Sequence, residues 1–99
     1  MIKTYCTDYI RHCLRFYTRY NQPKSFSTQA DRKNWYACHT VMEQLDKGNR
    51  ELLYEVYRNG DTIPDNIYRL AKKQGIPQDD IWKLVANLEY RIAQRRGLI

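Results

Sequence analysis

Apolar positions recur at spacings of three and four along most of this chain, the repeat of α-helices with one buried face. From about Thr4 to Tyr20 the apolar set is Cys6, Tyr9, Ile10, Cys13, Phe16, Tyr17 and Tyr20. Arg11, Arg15 and Arg19 follow one another at i+4 on what the spacing makes the opposite face. A second helix is expected from about Gln29 to Lys47, with Trp35, Cys38, Val41, Met42 and Leu45 inward. Ser27 or Thr28 is its cap, and Thr28 with Asp31 resembles a capping box. The pattern predicts a third helix over Arg50–Arg58 with Asn49 as cap, a fourth from about Pro64 to Gln74, and a fifth from near Pro77 to Arg96. Gly48, Gly60, Gly75 and Gly97 each follow a helical-looking segment, and Pro23, Pro64 and Pro77 fall between segments or at helix starts. No alternating strand is visible, and Asn59-Gly60-Asp61 lies between helical segments rather than in a hairpin. The expected fold is all-α, about five helices in one compact bundle.

Length and charge refine this picture. Ninety-nine residues, 42% of them hydrophobic, suit one domain with a single core. A loose boundary near Lys47–Asn49 separates a two-helix part (1–48) from a three-helix part (49–99), and the two are expected to share that core. Arg11, Arg15 and Arg19 interrupt the first helix, so it does not read as the apolar region of a signal peptide. No apolar run is long enough to span a bilayer, and a cytoplasmic protein without membrane contact is expected. The formal net charge of +6 and pI of about 9.3 favour an anionic partner. The excess is uneven: +4 in residues 1–48 and +2 in residues 49–99.

The stretch Ile63–Ile92, IPDNIYRLAKKQGIPQDDIWKLVANLEYRI, reads as a C-terminal helix-turn-helix. Ala71 stands where a larger side chain would push the two helices apart. Gly75 stands where the chain must turn with φ > 0. Leu70, Ile76, Ile81 and Leu84 are expected to face inward. In a DNA-binding arrangement the first helix crosses the backbone, so Arg69, Lys72 and Lys73 are candidate phosphate contacts, with Arg91 beyond them. The second helix would read base edges near its N-terminus, which selects Gln78, Trp82, Lys83 and Asn87. Asp79 and Asp80 suit the positive end of the helix dipole and oppose phosphate at the same end.

From about Glu43 to Arg96 the chain resembles the C-terminal, −35-binding region of sigma-70-type factors and the sigma-like regulators of phages and mobile elements. The residues that carry this are LDKGNRELLYEVYRNGD followed by the helix pair beginning IPDNIYRLAKKQG. The resemblance covers about half the chain. It implies promoter DNA as ligand and RNA polymerase as protein partner. Pro77, Asp79 and Asp80 replace the hydroxyl cap and arginine-rich start usual in that family, and the N-terminal half has no recognisable −10-binding region.

Other chemistry is sparse. Cys6, His12, Cys13, Cys38 and His39 contain no CxxC, and each histidine is one residue from a cysteine, hence on a different helical face. Three cysteines without scaffold-like spacing read as reduced, buried thiols. No glycine-rich phosphate loop or paired carboxylate motif is present, so neither catalysis, cofactor nor metal is expected. The Arg11–Arg15–Arg19 stripe is a second anion-binding candidate or a solubilising outer face. Trp35–Tyr36 reads as core packing, and the nine tyrosines as amphipathic bulk with some in an interface. The expected function is a small, non-enzymatic DNA-binding or transcription-associated regulator acting on double-stranded DNA. The alternative is a helical protein–protein interaction module, homodimeric or partnered, that keeps the framework without DNA.

Overall fold

The computed structural model describes residues 4–19 and 28–99. They form five α-helices: α1 (Thr4–Arg19), α2 (Gln29–Glu43), α3 (Lys47–Arg58), α4 (Ile63–Gln74) and α5 (Gln78–Arg95). Tyr20, Pro23 and Ser27, the alternative cap of the second helix, lie outside the described residues. No helix among the described residues is long and apolar enough to cross a membrane.

Three of the helix starts carry a side-chain cap. Thr28 Oγ1 accepts from the Asp31 amide at 3.0 Å and starts α2. Asp46 Oδ1 accepts from the Asn49 amide at 2.8 Å and starts α3. Thr62 Oγ1 accepts from the Asp65 amide at 3.3 Å and starts α4, with Pro64 in the first turn. These contacts satisfy amides that have no partner inside the helix. They also correct two expected boundaries. Asp46, not Asn49, caps α3, and α2 stops at Glu43 rather than Lys47. Gly48 therefore lies inside the first turn of α3 instead of after a helix. The Asp46 carboxylate stops the chain from continuing as one long helix.

The core is one cluster to which all five helices contribute. Ile10 and Leu14 of α1, Met42 of α2, Leu53 of α3, Ile67 of α4, and Ile81 and Ile92 of α5 are all at 0% exposure. α5 packs against each of the other four helices, so its inner face (Ile81, Val85, Leu88, Ile92) is the axis of the molecule. Leu84 and Ile76 are only half-buried at its edge.

α1 is the element whose orientation the spacing misreads. Leu14, absent from the expected apolar set, is fully buried, and Tyr9 is 38% exposed. Arg11 and Arg15 are only partly exposed, and both are engaged by other parts of the chain. Arg11 Nε donates to Glu89 Oε2 at 2.9 Å across the α1–α5 contact. Arg15 donates to the carbonyls of Asn59 at 2.7 Å and Asp61 at 2.6 Å. It thus closes the C-terminal end of α3, where backbone carbonyls lack helical partners and the dipole is negative. Only Arg19 of the three is exposed. α1 contacts α2, α3 and α5, so two of its faces are covered rather than one.

Candidate nucleic-acid interface

α4 and α5 are joined by Gly75, Ile76 and Pro77. Gly75 has φ +67°, in the left-handed region that favours glycine. Its amide and that of Ile76 (3.0 Å) both donate to the Ala71 carbonyl, closing α4 with a tight C-terminal cap. Ala71 is buried, as is Leu70. Pro77 leaves α5 with no side-chain cap. Asp79 and Asp80 in the first turn, both exposed, place negative charge against the unpaired amides instead.

The apolar side of this unit is buried and its polar side is open. On α5, Asp79, Lys83, Ala86, Asn87, Tyr90 and Gln94 are all exposed. Lys83 and Asn87, four residues apart, share that outer stripe. Gln78 is exposed beside the turn. Trp82 departs from expectation: it is half-buried and packs against the core cluster, so it does not offer a free ring to a groove. It stands three residues before the buried Val85.

The basic residues of α4 divide. Arg69 forms an ion pair with Asp61 at 2.6 Å and donates to Asn66 Oδ1 at 2.6 Å. With Lys73 it lines a cavity of ≈ 170 Å³ that also includes Glu55 and Asn59. Buried Asn66 donates in turn to the Val56 carbonyl at 2.8 Å, so Arg69 belongs to a network that fixes the α3–α4 loop. Lys72 lies 5.9 Å from the centre of the Tyr68 ring, a cation–π contact, and remains exposed. Arg91 has a different partner: it donates to Gln44, the C-terminal cap of α2. The eight expected contact residues differ in exposure and partners. Lys72, Lys73, Gln78, Lys83 and Asn87 are exposed on α4 and α5, Arg69 and Arg91 are tied to neighbours, and Trp82 is packed.

A second basic region was not expected. Arg32, Lys33, Tyr36 and Thr40 of α2 face Arg95, with Arg96 just beyond the end of α5, across a groove of ≈ 370 Å³. Arg95 also lines an adjoining cavity of ≈ 310 Å³ with Gln44, Arg91 and Gln94. Trp35 and Tyr36, read together as core, separate: Trp35 is buried, whereas Tyr36 is 47% exposed and its ring lies edge-on to Trp35 at 5.1 Å. The pairs Arg32–Lys33 and Arg95–Arg96 are visible in the sequence. That the start of α2 lies beside the end of α5 is not.

Cys6, Cys13 and Cys38 are all buried and unbridged. Burial pushes the Cys13 thiol up to about 11 and also raises Cys38, so neither supplies thiolate near neutral pH. His39 Nδ1 lies 3.1 Å from the Tyr17 hydroxyl, and its ring stacks on Trp35 at 4.7 Å. Tyr54 donates to Tyr17 at 2.9 Å, completing a packed tyrosine–histidine chain inside the α1–α2–α3 contact. Compared with protein-family models, curated proteins and solved structures, the chain has no match.

Proposed function

We propose that this protein is a small, non-enzymatic DNA-binding regulator of the sigma-like helix-turn-helix kind, which contacts double-stranded DNA through the outer faces of α4 and α5. The observation that carries this reading is the α5 outer stripe. Lys83, Asn87, Tyr90 and Gln94 are exposed along one side of a helix whose other side is the axis of the core. Such a helix is rigidly held and polar outward, which base-edge recognition requires. Lys72 and Lys73 on the preceding helix supply phosphate contacts. Asp79 and Asp80 place the favourable part of the stripe away from the first turn, so Lys83 and Asn87 are the base-reading candidates. In this reading RNA polymerase is the protein partner, and co-sedimentation with the core enzyme tests that part.

The central test is fluorescence anisotropy with labelled duplex DNA at several salt concentrations, followed by selection of bound duplexes from a random pool. Affinity is expected to fall linearly on a log–log plot with salt. Lys72→Glu combined with Lys83→Glu is expected to weaken binding by more than about tenfold. Absence of duplex binding at low salt, or an unchanged affinity in that double variant, would overturn the reading.

A second reading has its own observation. Tyr68 and Tyr90, on α4 and α5, are 53% and 43% exposed. Amphipathic rings are enriched at protein interfaces. The protein would then be an interaction module, and sedimentation would show a salt-insensitive homodimer that Tyr68→Ser with Tyr90→Ser dissociates.

A further inference from the structure

We propose that the groove between α2 and the C-terminal end of α5 is a binding site for a single strand of nucleic acid, separate from the α4–α5 face. Its walls carry Arg32 and Lys33 on one side and Arg95 and Arg96 on the other, and no carboxylate lines it. Among the described residues Arg32, Lys33 and Arg95 have no ion-pair partner. Arg96 is aimed by the buried Asn34, whose Oδ1 accepts from Arg96 Nε at 2.6 Å while its Nδ2 donates to the Tyr9 hydroxyl at 2.8 Å. Like charges gathered from two helices repel one another, and an anion in the groove relieves that repulsion.

The groove's size and its exposed ring choose the anion. At ≈ 370 Å³ it has room for phosphate and sugar. Arg95 also lines a second cavity with Gln44, Arg91 and Gln94, so further basic and amide groups lie next to the groove. Tyr36, 47% exposed within the groove, offers a π-face to an unpaired base. An acidic protein partner fits less well. Among the described residues, Ile99 is the exposed large hydrophobic side chain other than tyrosines, and it does not line the groove, which therefore has no large aliphatic anchor of the kind that centres protein interfaces.

The site is tested on the full chain with a labelled random-sequence DNA 20-mer, single-stranded and as its duplex. The groove variant carries Arg32→Gln, Lys33→Gln and Arg95→Gln; a charge-matched control carries Lys72→Gln, Lys73→Gln and Lys83→Gln. All six side chains are exposed, and circular dichroism confirms that both variants fold. The groove variant is expected to lose at least about tenfold in single-strand affinity, with its log–log salt slope shallower by about 2. The control stays within about threefold of the parent for the single strand. Tyr36→Ser is expected to weaken the single strand by several-fold and to leave the duplex unchanged. The proposal is overturned if the groove variant matches the parent, or if both variants lose equally, since net charge alone then explains binding. It is also overturned if polyglutamate displaces the strand at equal charge concentration, or if Tyr36→Ser has no effect. The two readings fail separately. Loss of duplex binding in the control alone supports the α4–α5 face, and loss of single-strand binding in the groove variant alone supports the groove.

Discussion

Glu89 is 4% exposed, yet it meets Arg11 at 2.9 Å and receives a hydrogen bond from the Tyr57 hydroxyl at 2.7 Å. A carboxylate at such a position is stable only because both of its oxygens are engaged. Tyr57, fully buried, has its hydroxyl pKa driven upward first by burial and then by the Glu89 charge, so it stays a neutral donor. Glu89→Ala would leave a guanidinium and a buried hydroxyl without their acceptor. The expected cost is about 3 kcal/mol, read as a lower urea midpoint. The pair Arg11→Met with Glu89→Leu is expected to recover part of that loss, because no charge is then left unmatched although the Tyr57 hydroxyl still lacks its acceptor. A double variant no more stable than Glu89→Ala would show that shape, not charge pairing, dominates there. Of these three residues, only Arg11 carries an individual reading from the sequence, as part of an outward arginine stripe. Arg11 belongs to a stripe of arginines at i+4, and nothing along the chain says that its partner lies 78 residues away. Leu14, three residues after Arg11 and fully buried, is the one local sign that this side of α1 is not a solvent face.

At the scale of elements, capping explains the boundaries. Side-chain caps at Thr28, Asp46 and Thr62 and the glycine cap at Gly75 divide the chain where the helices change direction. Gly75 and Gly48 make opposite predictions. At Gly75, φ +67° strains any L side chain although a Cβ would meet nothing within 4 Å, so Gly75→Ala is expected to destabilise by about 1 kcal/mol. Gly48 lies in the first turn of α3 with open space around it. Gly48→Ala is therefore expected to stabilise by about 0.5 kcal/mol. Chemical denaturation of both variants checks the signs; a gain at Gly75 would remove the argument that its turn requires glycine. The Gly75 turn was legible because one glycine falls between two amphipathic segments. The Asp46 cap was not, because Asn49 and Gly48 nearby offer a competing stop-and-start signal and only the backbone hydrogen bond selects between them.

At the scale of the molecule, the resemblance to a sigma-like region covers α3, α4 and α5, but the core does not divide there. α1 supplies Ile10, Leu14 and Tyr17 to the same cluster, pairs Arg11 with Glu89, and closes the end of α3 through Arg15. A fragment of residues 46–99 would expose the Glu89 side of α5 and the partners of α1. It is expected to lose the cooperative thermal transition of the full chain and part of its helicity by circular dichroism. A cooperative transition in that fragment would show that the three C-terminal helices stand alone. The sequence by itself determined the helical class, the number of helices, and the position of the Gly75 turn, because helical periodicity, capping and glycine conformation act within a few residues. It also marked the exposed side of α5, through the alternation of apolar and polar positions. Tertiary structure decided which charges are paired with groups of the fold and which are left unpaired. Arg11, Arg15 and Arg69 are held by groups on other elements or loops, while Arg32, Lys33 and Arg95 converge on one groove. Charge acts through space over several ångströms, and which charges become neighbours depends on how helices distant in the chain pack.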